Sequence, residues 1–402
     1  MTQANETALN IDVSTRRNLL LVKIIYFLYF SAFGIVTAYL NIYYKSIGLS
    51  GFQIGWIGSI VPLVALISSP FMGFITDRLA KPRLLIAIAA LGAGTSITII
   101  SRLSSIYWIL PMAGVYSFFV TTLVPQIDSV NLILLKEHKE RYGQQRIFGS
   151  IGFILSTWIL GIVFDRWGLS YMFPIYFSLL VLLALVLLFA PDFKIPAHQA
   201  TPLRDSLRMI KPAALIFFTG IFFYGISNSG MNDYLGLYLK MIGGNDRLVG
   251  LCFSIGALSE VPIIYFGGRL LKKFGPYVLL IVAMIAQALR MSLYAIMPDA
   301  GWAVYISLIN SVSFGLFLVT SVVFVKNIFP DHLTNTGQTL LWSTLYLSGI
   351  LGSPVNGLMF DRIGPSKLFI ALAGFAFLAV AIMAINLINS KNKDNQITWR
   401  LF

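Results

Sequence analysis

Apolar stretches long enough to cross a bilayer recur along the chain at short intervals. The first six are Leu19–Tyr44, Phe52–Ile75, Leu84–Ile100, Ile106–Leu134, Ile147–Phe164 and Tyr171–Ala190. The second six are Ala213–Leu239, Leu248–Leu271, Tyr277–Ile296, Trp302–Phe329, Thr334–Met359 and Lys367–Ile388. The pattern predicts an all-α membrane protein of twelve transmembrane helices, in two pseudo-symmetric bundles of six. The expected divisions are an N-terminal half at 1–190, a central loop at 191–211 and a C-terminal half at 212–402. Within that loop, Thr201 to Ile210 reads as a short amphipathic helix, with Thr201 as cap and Pro202 at the first helical position.

An internal repeat supports the division. At a shift of 195 residues, Tyr43, Lys45, Gly48, Gly55, Ser59 and Gly73 meet Tyr238, Lys240, Gly243, Gly250, Ser254 and Gly268. Gly161-Ile-Val-Phe-Asp-Arg-Trp-Gly168 reads against Gly357-Leu-Met-Phe-Asp-Arg-Ile-Gly364. Apolar bias produces scattered Leu and Ile matches, but not Gly, Asp, Arg and Lys in one register. Parallel repeats of this kind are how transporter halves are built.

Composition makes the bilayer the solvent. The chain is 57% hydrophobic and 11% charged, with a mean hydropathy of +0.81. That is under half the charge of an ordinary soluble domain. The net charge of +13 does not point to nucleic acid, because Lys and Arg cluster in alternate short loops. With the N-terminus inside, about 20 of them fall in cytoplasmic segments against about 7 outside, which places both termini in the cytoplasm. A bacterial-type inner membrane is the expected location. The polar start of the chain does not read as a cleavable signal peptide. Cys252, the one cysteine, says little about compartment.

The second loop, Gly73-Phe-Ile-Thr-Asp77-Arg78-Leu-Ala-Lys81-Pro-Arg83, places a carboxylate among cations at the membrane edge. It resembles the signature loop of the major facilitator superfamily, which implies a gating latch for Gly73, Asp77, Arg78 and Arg83. A plain positive-inside loop is the alternative. The equivalent loop of the second half carries Lys272 and Lys273 instead.

Charges at membrane depth are costly, so they face cavities and find partners. Asp128, Arg146, Asp233, Glu260 and Arg290 lie at such depth. Asp128 stands about 12 Å before Lys136 along its helix, and Arg146 about 8 Å after Arg141 on the antiparallel neighbour. The two can pair, with Gly149 and Phe153 on the face of Arg146. An acid, an Arg and a ring suit a hydroxyl-rich or aromatic solute; a structural ion pair is the alternative. Glu260 and Arg290 carry the chemistry of proton coupling, since a carboxylate that meets water from alternate sides can carry a proton across. A helix-packing pair is the alternative there.

Pro125-Gln-Ile-Asp128 followed by Arg146-Ile-Phe-Gly149 resembles the lactose permease-like branch of the superfamily, as does Tyr26-Phe-Leu-Tyr-Phe30. The resemblance implies substrate contacts at Asp128, Arg146 and Phe153, with Asp and Phe closer to the phenylpropionate and nucleoside symporters. It also implies that Arg290 assists proton release. The chain departs from lactose permease on helix ten, where Asn310 and Ser313 replace the His and Glu, and on helix eleven, where Leu345 replaces a Lys. Either Glu260, Asp233 or Asp128 carries the proton, or the protein is a facilitator.

The expected function is a secondary active transporter for a sugar, nucleoside or small aromatic acid, with Asp128, Arg146, Phe153 and Asp233 on the substrate. Proton symport is the leading form; an uncoupled facilitator, a proton-driven exporter and a non-transporting sensor remain open. The expected partners are the solute, protons and membrane lipids, with no cofactor, no metal and a monomeric chain. An enzyme lacks support, because there is no nucleophile motif, metal cluster or P-loop.

Overall fold

In the computed structural model, residues 13–78, 82–135, 142–189, 212–330 and 333–391 are described. The candidate amphipathic helix at Thr201 to Ile210 lies outside them. The first half comprises α1 (Val13–Ser46), α2 (Gly51–Arg78), α3 (Pro82–Ile100), α4 (Ile106–Leu135), α5 (Tyr142–Trp167) and α6 (Met172–Leu188). The second comprises α7 (Pro212–Met241), α8 (Asp246–Phe274), α9 (Pro276–Ile296), α10 (Trp302–Ile328), α11 (Thr334–Ile363) and α12 (Pro365–Lys391). The described residues contain no β-strand.

Eleven of these helices are long and apolar enough to cross a membrane. The twelfth, α11, has 30 residues but is more polar, because Ser348, Gly349, Gly352, Ser353, Asn356 and Gly357 form a buried face. That face packs on α2 and α7, so neighbouring helices and not lipid solvate it.

The repeat is visible in the packing. α1 packs on α5 and α6 as α7 packs on α11 and α12, and α3 on α4 and α6 as α9 on α10 and α12. The halves meet through two equivalent pairs, α2 with α11 and α5 with α8. The connections repeat too. Gly48 and Gly243 hold φ of 91° and 89°, and Gly168 and Gly364 hold 98° and 83°. Only glycine takes that conformation without strain, which is why these glycines recur in register.

The named contacts between halves lie toward the end where α1 meets α2 and α7 meets α8. A Cβ on Gly55 would stand 2.8 Å from the Cα of Pro354. Thr157 Oγ1 and Ser254 Oγ share a 2.7 Å hydrogen bond. The Tyr234 hydroxyl donates to the Gly51 carbonyl at 2.9 Å. Small residues let the backbones approach this closely, and this end of the bundle is sealed.

Candidate functional site

Beneath the seal lies a cavity of about 410 Å³ between the halves. Its polar lining comes from Thr37 and Asn41 of α1 and Asn228, Ser229, Asn232 and Asp233 of α7. The spacing of Asn228, Asn232 and Asp233 sets them on adjoining positions of one helical face. The lining also carries rings, with Phe33 and Tyr44 on the same face of α1 and Trp342 and Tyr346 from α11.

Among the described residues of the lining, Asp233 is the one carboxylate. Ser353 Oγ donates to its Oδ2 at 2.7 Å, and Asn41 Nδ2 donates to its backbone carbonyl at 3.1 Å. Among the described residues it has no cationic partner. Four helices therefore converge on it, since Gly58 of α2 also faces its carboxylate.

Asp128 and Arg146 do pair, at 3.6 Å. Tyr26 donates to Asp128 at 2.5 Å, Asn131 Nδ2 donates to the Tyr26 hydroxyl at 3.3 Å, and Arg146 donates to the Tyr142 hydroxyl at 2.9 Å. None of the three sequence-predicted first-half residues lines this cavity. They connect to it through rings. Phe153 stands 6.1 Å from Phe33, Phe33 6.1 Å from Phe30 and Phe30 6.2 Å from Tyr26, centroid to centroid. Of the four expected substrate contacts, only Asp233 sits in the cavity wall.

Glu260 and Arg290 do not touch. Asn310 stands between them, its Nδ2 donating to Glu260 Oε1 at 2.5 Å and its Oδ1 accepting from Arg290 Nη1 at 2.6 Å. Arg290 also reaches Ser313 Oγ at 3.4 Å and is buried, while its Nε has no partner. Asn310 and Ser313 read in sequence only as departures from a relative's pattern, yet they complete this network. A π-helical turn at Ser311–Leu316 interrupts α10 here. The Ser313 carbonyl accepts from the Tyr224 hydroxyl at 2.7 Å, and Tyr224 lines the cavity. The network is thus one side chain from the cavity. Single-turn π-bulges of this kind occur often at functional sites.

The backbone of Gly73, Asp77 and Arg78 ends α2 as helix, but their side chains lie outside the described residues. Arg83 stands in the first turn of α3.

Sequence reasoning weighed charges and so missed Asn41, Asn228, Asn232 and Trp342. For the three Asn residues the available signal was neutral amides inside apolar spans.

The profile of the MFS_1 like family matches residues 19–371. The transporter YwbF of Bacillus subtilis is 26% identical over 408 residues, covering 96% of this chain and 97% of that protein. The maltose permease of Geobacillus stearothermophilus is 29% identical over 322 residues, covering 78% and 80%. The crystal structure of the nucleoside transporter NupG superposes with a TM-score of 0.82 at 19% identity, covering 92% of this chain and 99% of that one. The chain belongs to the MFS_1 like family and is a multi-pass membrane transporter of the major facilitator superfamily, not an enzyme.

Proposed function

We propose that this protein moves a neutral, hydroxyl-bearing ring solute of the sugar or nucleoside class by alternating access, coupled to protons through Glu260. The observation that carries the reading is the cavity wall. Asp233 and three Asn side chains offer hydrogen bonds to hydroxyls, and rings in the same lining offer a stacking surface. A carboxylate as the cavity's ionisable acid repels a carboxylate solute, which disfavours the aryl-acid reading. The maltose permease relative favours a sugar, and NupG supports the fold alone.

With both termini cytoplasmic, the sealed end faces outward and this is the inward-facing state. The solute leaves past Phe33 and Phe153 toward Asp128 and Arg146, which form a second contact on its path. Glu260, held by Asn310, takes or gives up its proton, and Arg290 holds the other end of the same amide. Tyr224 and Ser313 link this group to the solute. Gly73, Asp77, Arg78 and Arg83 act at the opposite gate. The working unit is one chain in the inner membrane. A proton-driven exporter uses the same residues in the other direction, and an uncoupled facilitator dispenses with Glu260.

A thermal-shift screen of purified protein against sugars, nucleosides and aryl acids tests the class. A stabilising sugar or nucleoside, lost in Asp233→Asn, supports it; stabilisation by aryl acids alone refutes it. Glu260→Gln should abolish accumulation in proteoliposomes while solute exchange persists. Accumulation against a gradient in that variant removes Glu260 from coupling.

A further inference from the structure

The repeated stretches ending α5 and α11 carry acids that the site above does not use. Both acids reach across to the other half. Asp361 Oδ1 accepts from the Gly51 backbone N–H at 2.7 Å, and its Oδ2 accepts from the Phe52 N–H at 2.8 Å. The cap of α2 leaves those donors free. Ser50 Oγ accepts from the Gln53 N–H at 3.1 Å and Gln53 Oε1 accepts from the Ser50 N–H at 2.9 Å, a capping box. On the equivalent side, Asp165 Oδ2 accepts from Asn245 Nδ2 at 3.0 Å. Asn245 is itself the cap of α8, its Oδ1 accepting from the Leu248 N–H at 2.9 Å.

The register makes these one device used twice. A shift of 196 residues relates Asp165 to Asp361, and a shift of 195 relates Ser50 to Asn245. Each half supplies one acid and one receiving helix start.

We propose that Asp361 and Asp165 are positioning residues for transport: two clasps that hold the sealed end shut and set the balance between the access states. These bonds exist only while the halves meet, because among the described residues neither acid accepts a hydrogen bond from its own half. Both acids are solvent-exposed, so water replaces the lost partners when the halves part. That makes the clasps reversible. They are also unequal. Asp361 places a full charge on the positive end of a helix with two bonds, whereas Asp165 makes a single bond to a neutral amide.

One helix joins the stronger clasp to the cavity. On α11, Ser353 holds Asp233, Gly357 packs against the Gly51 backbone, and Asp361 caps α2. Ser353 and Asp361 are about 12 Å apart along a rigid helix. A solute that competes for Asp233 therefore acts on the element that carries the clasp. This last link rests on the reading of the cavity as the solute site; the clasps do not.

The test uses the full chain in lipid nanodiscs. Spin labels are placed at Ser170→Cys and Met241→Cys in a Cys252→Ser background. Both label positions are exposed, lie in different halves at the sealed end, and read their separation by pulsed dipolar spectroscopy. No solute is needed, so the outcome is independent of the substrate class. Asp361→Asn should raise the ratio of separated to closed populations about tenfold. Asp165→Asn should raise it by about two- to threefold, and Asp361→Glu should recover most of the closed population. Arg362→Gln, an adjacent exposed change, should leave it unchanged. An unaltered distance distribution in Asp361→Asn, or an equal shift in Arg362→Gln, overturns the proposal. If Asp361→Asn fails to fold, Asp165→Asn alone decides by the same readout, and no shift there overturns it.

Discussion

Replacing Asn310 by Leu keeps the number and branching of side-chain heavy atoms while deleting both ends of the amide bridge. Arg290 is 3% exposed and loses its 2.6 Å acceptor; Glu260 loses its 2.5 Å donor. Bonds to charged groups contribute about 1.5–3 kcal/mol each in soluble proteins, whereas measured bonds between membrane helices average about 0.6 and reach about 1.7 kcal/mol. Two lost bonds at the upper membrane value come to about 3 kcal/mol. Arg290 keeps contacts at 3.4 Å to Ser313 and 3.5 Å to Tyr294, which leaves a net loss of about 2 kcal/mol, or roughly 30-fold in an equilibrium. Asn310 does not line the cavity, so solute binding should survive. The assay pairs thermal melting of purified protein with two transport measurements in proteoliposomes, accumulation against a gradient and exchange. The expected result is lowered stability, lost accumulation and retained exchange. A variant that melts and accumulates like wild type refutes the claim that the amide holds a coupling pair.

Gly55→Ala should prevent complete sealing, because its Cβ would stand 2.8 Å from the Pro354 Cα and the Ser353 carbonyl carbon, backbone atoms that cannot swing aside. The distance between spin labels at Ser170→Cys and Met241→Cys should lengthen, and an unchanged separation would refute it. Asp128→Asn or Arg146→Ala should abolish uptake; normal uptake in both would make their 3.6 Å pair purely structural. Tyr224→Phe deletes the 2.7 Å bond to the Ser313 carbonyl and should lower the proton-to-solute ratio with little change in affinity, as read by simultaneous pH and solute fluxes.

Helix positions, the two halves and the membrane environment were legible along the chain. Each depends on local properties: the length of an apolar run, the bias of loop charges, and small or charged residues repeated in register. Asp128 with Arg146 was legible for a related reason, because two consecutive antiparallel helices fix depth by counting residues. The site itself was less so. Asp233 was recognisable as a buried charge, but nothing along the chain brings it to Ser353, 120 residues away, or to Asn41 in the other half. Asn310 was visible only as a departure from a relative's pattern, and the π-helical turn that aims Ser313 at Tyr224 leaves no periodic signal. α11 shows the same limit from the other side: its hydropathy is low because other helices, not lipid, cover its polar face. Helical periodicity decides which residues share a face of one helix. Which faces meet is decided by the rotation and approach of whole helices, set by glycines such as Gly55 and Gly250 against distant backbones, and that exists only once the two halves have packed.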